Sequence, residues 1–289
     1  MASTLTLECI RPGGGAFLVD GGRPGRRALG IPAGGAADQS AHRTANRLLH
    51  RPPNSVCLET TLLGGEWMLS GKGQLTITGA EMDWRLNGQL TDYYTTIYLD
   101  GDYLLTGGRA RAGCRSYLGI RGKWNLPRRL GSVEAGLPGQ ERPKPGWKTI
   151  ITATTEADFE LDLDLNQHRP QGLQRFPVLP GPEWHLLPQV WKSWLTTAIF
   201  SVSPDSGRQA IRLLSPGPPA PLDGQDMISS PVLPGTVQLT PSGPILLGPA
   251  AQTIGGYPRV LVLENQTSLN VAYQLLPGEF LSFHPPTAK

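Results

Sequence analysis

Residues 74–106 read QLTITGAEMDWRLNGQLTDYYTTIYLDGDYLLT, and this stretch decides the fold class. Short runs rich in β-branched and aromatic residues alternate with turn signals. Asn87-Gly88 suits a two-residue hairpin, because both positions tolerate positive φ. Asp100-Gly101 predicts a second hairpin between strands at 95–99 and 103–106. Upstream, Ser70-Gly71 predicts a turn between strands at 66–70 and 74–78. Working outward, further strands are expected at 4–10, 16–19, 55–64, 83–86 and 115–120. Many strands with little helix between them imply an antiparallel barrel or sandwich.

The N-terminal half contains one clear helix, over 39–50. Asp38 stands where an N-cap belongs, and Pro52-Pro53 ends the segment. Ala41, Ala45, Leu48 and Leu49 make a narrow apolar stripe of mostly small residues, while Arg43, Asn46 and Arg47 are placed on other faces. Before the helix lie two glycine-rich loops. The first carries Arg23, Arg26 and Arg27, and the second is Gly34-Gly35-Ala36-Ala37-Asp38. Glycine-rich loops feeding a helix N-terminus permit close backbone approach, often to an anion.

Downstream, 121–147 reads as irregular, with strands again at 148–152 and 160–165. Residues 168–182 are polar and punctuated by proline, which makes them the expected boundary between an N-terminal domain (1–167) and a C-terminal domain (168–289). Beyond it, 188–197 reads as a short helix, with Pro188 at its first position and Val190, Trp191, Trp194 and Leu195 as its apolar face. Strands return at 199–203, 210–214, 236–239, 245–247, 259–264 and 279–283. The expected architecture is mainly β, with a few short helices.

Composition narrows the function classes. The chain has 289 residues, 36 Gly, 28 Pro and only 17% charged residues, with a net charge of +3. That charge is too small to imply nucleic acid or a membrane surface as a partner. Arginine outnumbers lysine, 20 to 6, and arginine is the better fork for carboxylate and phosphate. Cys9, Cys57 and Cys114 are too few and too far apart for a disulfide framework or a metal set, so each is expected to pack as a small apolar residue. The N-terminus shows no signal-peptide pattern and no run long enough to span a membrane, so the expected location is the cytoplasm. P-loop, dinucleotide, zinc-protease and Gly-x-Ser-x-Gly motifs are all missing.

What remains is a set of polar residues in glycine-rich surroundings. Asp20 and Arg23 bracket Gly21-Gly22. Asp38 fits a helix cap or a catalytic or binding role. Arg23 and Arg115 fit pairing with a loop carboxylate or anion binding, and Glu59 fits a partner for one of them. Ser206-Gly207-Arg208 precedes Arg212. Gln252-Thr253-Ile254-Gly255-Gly256-Tyr257-Pro258 concentrates amide, hydroxyl and phenol groups, and reads either as a tight turn or as a site.

At these residues the chain resembles the biotin-dependent carboxyltransferase-like family. That family includes the C subunit of bacterial 5-oxoprolinase, the KipI antagonist KipA and the second subunit of allophanate-hydrolase-type proteins. The resemblance rests on Asp20-Gly21-Gly22-Arg23-Pro24-Gly25 and on the run from Gly30 to Asp38. It continues through Ala45-Asn46-Arg47-Leu48, Leu58-Glu59-Thr60 and Gly113-Cys114-Arg115-Ser116-Tyr117-Leu118. It ends with Ser206-Gly207-Arg208 and the run from Gln252 to Pro258. The motifs keep a fixed order over nearly the whole length. The chain departs from the family pattern at Val19, where Gln is usual, and at Ala37, where Met is usual. A Ser-Thr pair expected after Gly131-Ser132 is missing, and Ala250 stands where an acidic residue is common.

The resemblance implies two cyclophilin-like β-barrel domains. It implies a hetero-oligomer with a KipI-like B subunit and with the A subunit of 5-oxoprolinase, which together use ATP with Mg2+ to hydrolyse 5-oxo-L-proline to L-glutamate. No metal or covalent cofactor is expected in this chain itself. Asp20, Asp38, Gln252 and Thr253 would be catalytic, and Arg23, Glu59, Arg115, Arg208 and Tyr257 would hold substrate or phosphate. The alternatives are a non-enzymatic antagonist of a KipI-like kinase inhibitor and a carboxyltransferase-type protein acting on urea-like amides.

Overall fold

The computed structural model describes residues 3–154, 170–217 and 227–285. The strand expected at 160–165 lies outside them. The chain divides into two compact units. One comprises 1–23 and 38–169, the other 24–37 and 170–289. The arginine-bearing loop after Arg23 thus belongs with the C-terminal residues.

The N-terminal unit is built from β1 (Thr4–Arg11), β2 (Ala16–Val19), α1 (Gln39–Leu48), β3 (Cys57–Thr61), β4 (Leu63–Glu81), β5 (Arg85–Leu86), β6 (Gln89–Leu90), β7 (Ile97–Arg109), β8 (Ala112–Ile120), β9 (Lys123–Trp124) and β10 (Lys148–Thr152). Its ten strands form one sheet with the pairing path β2-β3-β8-β4-β1-β10-β9; β7 also lies on β4, and the β5–β6 hairpin lies on β7. The 19-residue β4 is the spine. Glu66 to Gly71 pair with β1, Leu75 to Glu81 pair with β8, and β7 runs along Leu63 to Leu75.

The Asn87-Gly88 hairpin is present, with φ of 48° and 84° at the two turn residues. Two other expected turns are not. Ser70-Gly71 and Asp100-Gly101 each lie inside a continuous strand. Gly71 (φ 114°) and Gly101 (φ 129°) face each other across the β4–β7 ladder. Glycine here serves a bend and a close approach rather than a reversal: a Cβ on Gly71 would stand 2.3 Å from the Thr4 carbonyl oxygen.

Helix α1 forms as expected, and the Asp38 carboxylate accepts from the Ser40 and Ala41 N–H groups at 2.9 and 3.1 Å. Its small residues bring it close to the sheet: a Cβ on Gly119 of β8 would lie 3.0 Å from Leu49 and 3.5 Å from Ala45. The Thr78 hydroxyl of β4 donates to the Ala41 carbonyl at 2.8 Å. Asn46 lies off the apolar stripe and makes a helix-to-loop tie. It is fully buried, and its amide donates to the Pro53 and Ser55 carbonyls, closing the loop that follows the helix. Trp84 lies against Gly64 and Gly107, and its indole N–H donates to Ser116 in the middle of β8 at 3.0 Å. All three cysteines are buried free thiols, and burial pushes Cys9 up to about 11 and Cys57 to about 12.

The C-terminal unit contains β11 (Gln174–Pro180), α2 (Gln189–Thr197), β12 (Phe200–Val202), β13 (Ala210–Leu214), β14 (Ser230–Pro231), β15 (Thr236–Thr240), β16 (Gly243–Leu247), β17 (Ile254–Gly255), β18 (Arg259–Leu263), α3 (Gln266–Ala272) and β19 (Phe280–His284). Seven strands close a barrel in the order β11-β18-β15-β16-β13-β12-β19, and β14 pairs with β17 as a separate two-stranded sheet. The barrel core includes Phe176, Val178, Trp191, Leu195, Phe200, Tyr273 and Phe283. Trp191, Trp194, Phe200 and Phe283 follow one another at centroid spacings of 5.4, 5.2 and 5.6 Å, favourable for aromatic pairs.

Strand β11 falls within the stretch read as a polar boundary. Pro177 and Pro180 disguise it, yet Phe176 and Val178 alternate inward, and the strand pairs with both β18 and β19. In α2, Pro188 is the N-cap rather than the first helical residue, and Val190 is 54% exposed and off the apolar face. Helix α3 was not expected; Asn265 caps it by accepting from the Ser268 N–H at 2.8 Å. Among the described residues no helix is long and apolar enough to cross a membrane.

Candidate functional site

In the N-terminal unit, a line of buried polar groups runs from the start of α1 into β8 and β3. The Asp38 N–H donates to the Tyr117 hydroxyl at 2.7 Å, which donates to Glu59 Oε2 at 2.9 Å. Glu59 Oε1 lies 3.8 Å from Arg115 Nε. Glu59 and Tyr117 are direct partners across the β3–β8 ladder, and Arg115 stands two residues away on β8. All four are buried, Glu59 and Tyr117 completely. Burial, then the carboxylates of Glu59 and Asp38, hold the Tyr117 phenol well above its ordinary pKa. It therefore remains a proton donor to Glu59. The structure thus brings together three residues singled out in the sequence, Asp38, Glu59 and Arg115, and joins them through Tyr117, which shares a motif with Arg115. A tyrosine two residues after Arg115, on the same strand face, was the signal.

His42 packs edge-on against Tyr117 with centroids 6.1 Å apart. Burial lowers its pKa to about 4, outweighing its bond to the Ser55 carbonyl and the Glu59 charge. It is neutral, with Nε2–H donating to Ser55 at 2.9 Å.

Asp20 and Arg23 meet a different segment, the irregular run 127–140. The Asp20 carboxylate accepts from Gly22 N, Ser132 Oγ, Val133 N and Arg128 Nη1 at 2.9, 2.7, 3.0 and 3.2 Å. Arg23 donates to the Arg129 and Glu134 carbonyls and, at 2.7 Å, to Gln140 Oε1. The Gln140 amide in turn donates to the Ser132 carbonyl at 2.6 Å. Among the described residues Arg23 has no carboxylate partner. Asp20 and Arg23 together fasten the loop, Asp20 with both carboxylate oxygens and Arg23 through its Nε and Nη2 groups.

In the C-terminal unit, Gln252, Thr253 and Tyr257 surround the β14–β17 sheet. Gln238, fully buried on β15, organises them: its amide donates to the Tyr257 carbonyl at 3.0 Å and its oxygen accepts from Gln252 Nε2 at 3.3 Å. A Cβ on Gly255 would stand 2.7 Å from Gln238 Nε2, so the glycine admits that amide. The Thr253 carbonyl accepts from Val232 N at 3.0 Å, and Tyr257 is 45% exposed. Arg208 is buried and donates to the Gly35 carbonyl at 2.7 Å.

Three residues here escaped the sequence reading. Besides Gln238, Glu183 and Arg259 form a bidentate pair, with Nε to Oε2 at 2.9 Å and Nη2 to Oε1 at 2.5 Å, which ties the start of β18 to the turn before α2. The hydrogen bonds from Arg259 hold the Glu183 carboxyl below its ordinary pKa. The pair's stabilisation is therefore full above the unfolded-state value and lost as pH falls through the folded one. Glu183→Gln is expected to cost roughly 2 kcal/mol at pH 7, and progressively less in acid as the wild-type carboxylate takes up its proton. Thermal melts from neutral pH downward check this, and a constant difference would refute it.

Among the described residues no three His, Cys, Asp or Glu side chains gather into a metal-binding group. The chemistry on offer is hydrogen bonding and positive charge from arginines, amides and hydroxyls.

The family model for the carboxyltransferase domain, subdomains A and B, matches residues 29–285. The chain is 31% identical to the 5-oxoprolinase C subunit of Escherichia coli, over 88% of this chain and 83% of that protein. It is 26% identical to the urea amidolyase of Saccharomyces cerevisiae over 96% of this chain, and spans 16% of that longer protein. In structure, K. lactis urea amidolyase superposes with a TM-score of 0.87 at 23% identity, over 97% of this chain and 18% of the other. With the ordered motifs, the closed C-terminal barrel and a family match over nearly its whole length, the chain belongs to the carboxyltransferase domain family.

Proposed function

We propose that the chain is the C subunit of an ATP-dependent 5-oxoprolinase, working with a KipI-like B subunit and an A subunit to convert 5-oxo-L-proline to L-glutamate. The observation that carries this reading is the similarity to the E. coli 5-oxoprolinase C subunit, which spans most of both chains. The chemistry agrees with it. A lactam carbonyl is a poor electrophile, and transfer of a phosphoryl group to its oxygen supplies a leaving group. Stabilising that step requires donors aimed at oxyanions. The Gln252 amide and the Thr253 and Tyr257 hydroxyls, close together along the chain, are donors of this kind. In this reading Mg2+ and ATP are used by the complex, and no ligands for them are assigned in this chain.

Asp38 and Glu59 act through the Tyr117 network by fixing the entry to α1, and Asp20 with Arg23 fixes the 127–140 loop. A second reading, action on urea-like amides, draws support from the urea amidolyase relative, which matches 96% of this chain. The purified chain together with its two partner proteins, supplied with ATP, Mg2+ and 5-oxoproline, is expected to release glutamate. No release above that of the two partners alone would refute the first reading. ATP turnover dependent on urea instead would favour the second.

A further inference from the structure

Two arginines of the C-terminal unit hold successive carbonyls in and just after β14, and they are treated very differently. Arg259 donates to the Pro231 carbonyl at 2.7 Å, and its charge is met by both oxygens of Glu183. Arg27 donates through Nη2 to the Val232 carbonyl and, at 2.8 Å, to the Gln252 carbonyl. Among the described residues it has no carboxylate partner. Its Nη1 is buried and makes no hydrogen bond. A guanidinium nitrogen left that way costs free energy that only an acceptor can recover. Burial also lowers the Arg27 pKa, whereas the Glu183 bonds raise that of Arg259. One arginine is a completed structural tie, and the other is oriented by backbone carbonyls and left with a charged donor to spare.

The sequence around it points the same way. The turn that Arg27 holds is Gln252 to Pro258, with the Gln252 amide, the Thr253 hydroxyl and the exposed Tyr257 close along the chain.

We propose that Arg27 is an anion-binding residue of this unit, receiving a carboxylate or phosphoryl oxygen on Nη1. Gln252, whose carbonyl Arg27 holds, has an exposed side chain bound at 3.3 Å to Gln238. The inference deepens the 5-oxoprolinase reading by saying what part of the substrate this loop grips, and it rests on that reading only for the choice of ligand. The carboxylate of 5-oxoproline and a phosphate group share the chemistry, and the test separates them.

The test is calorimetric titration of the purified full-length chain with 5-oxoproline, with 2-pyrrolidinone (the same ring lacking the carboxylate) and with inorganic phosphate. If the anion is the substrate carboxylate, 5-oxoproline binds more tightly than 2-pyrrolidinone. If it is a phosphoryl group, phosphate binds and the two lactams do not differ. In either case Arg27→Met is expected to weaken the anion roughly tenfold or more, the scale of a charge-assisted hydrogen bond, and to leave 2-pyrrolidinone unchanged. Arg27→Lys keeps the charge and is expected to restore part of the loss. Melting temperatures of both variants show whether each is folded. Equal anion affinity in wild type and Arg27→Met, or no anion binding by the wild-type chain, would overturn the inference. Neither result touches the 5-oxoprolinase reading, which depends on glutamate release by the assembled complex.

Discussion

Glu59→Ala is expected to destabilise the N-terminal unit by roughly 3–5 kcal/mol, the cost of breaking a buried charge pair from one side. Glu59 is completely buried, and Arg115 is 4% exposed. Removing the carboxylate takes the counter-charge 3.8 Å from the guanidinium and the acceptor 2.9 Å from the Tyr117 hydroxyl. Water cannot replace either without opening the β3–β8 ladder. The Tyr117 hydroxyl also accepts from Asp38 N, so the disturbance reaches the cap of α1. Glu59→Gln keeps an oxygen for Tyr117 and loses only the charge, so its cost should be smaller. Calorimetric melts are the measurement, with the two units treated as separate transitions where they resolve. The Ala variant should lose on the order of 10 °C in the N-terminal transition. A shift of about 2 °C or less, below what even 1 kcal/mol produces in a domain of this size, would mean that the pair contributes little and that the network is not a structural unit.

That network also shows what the sequence could and could not reveal. Asp38 was legible because a cap is a local device: its partners, Ser40 and Ala41, are two and three residues away. The Asn87-Gly88 hairpin was legible for the same reason. Gly71 and Gly101 carry the same local signal, but each is the other's neighbour across a ladder, and nothing local distinguishes a bend in a long strand from a reversal. Pro177 misled in the opposite direction, because β11 has its inward residues on either side of the proline.

Pairing at a distance was harder. Glu59 and Arg115 could be guessed as partners, since each stood in a β-rich segment with a charge needing cover. Glu183 and Arg259 are 76 residues apart, and Arg27 and the Gln252 carbonyl are 225 apart. Those contacts follow from barrel closure and from the placement of 24–37 with the C-terminal residues. Gln238 was invisible for a related reason: a glutamine in an alternating strand reads as an outward residue, and only Gly255, lacking a side chain, makes room for it inside.

The second large effect is an acid-sensitive fold with His42 as its cause. The unfolded chain takes up a proton on this imidazole near its ordinary value of about 6.5, whereas in the folded unit burial lowers the pKa to about 4. Between those values the unfolded state binds more protons, so stability falls as pH drops from about 6.5 and levels off below about 4. The span of roughly 2.5 units corresponds to about 3 kcal/mol. The groups around the ring set the sign. Desolvation lowers the pKa and exceeds the rest; the bond to the Ser55 carbonyl, Glu59 and Asp20 favour the proton, and Arg51 opposes it. Protonation would place a second cation beside the Glu59–Arg115 pair without a carboxylate of its own. His42→Gln retains a donor for Ser55 and cannot take up the proton. Denaturant unfolding from pH 7 to 4 should therefore show a steep decline in the wild-type chain and a flatter one in the variant. The Glu183 pair titrates at lower pH and does not blur the comparison. Parallel curves for the two proteins across that interval would show that another group drives the loss and that His42 is already accommodated as a cation.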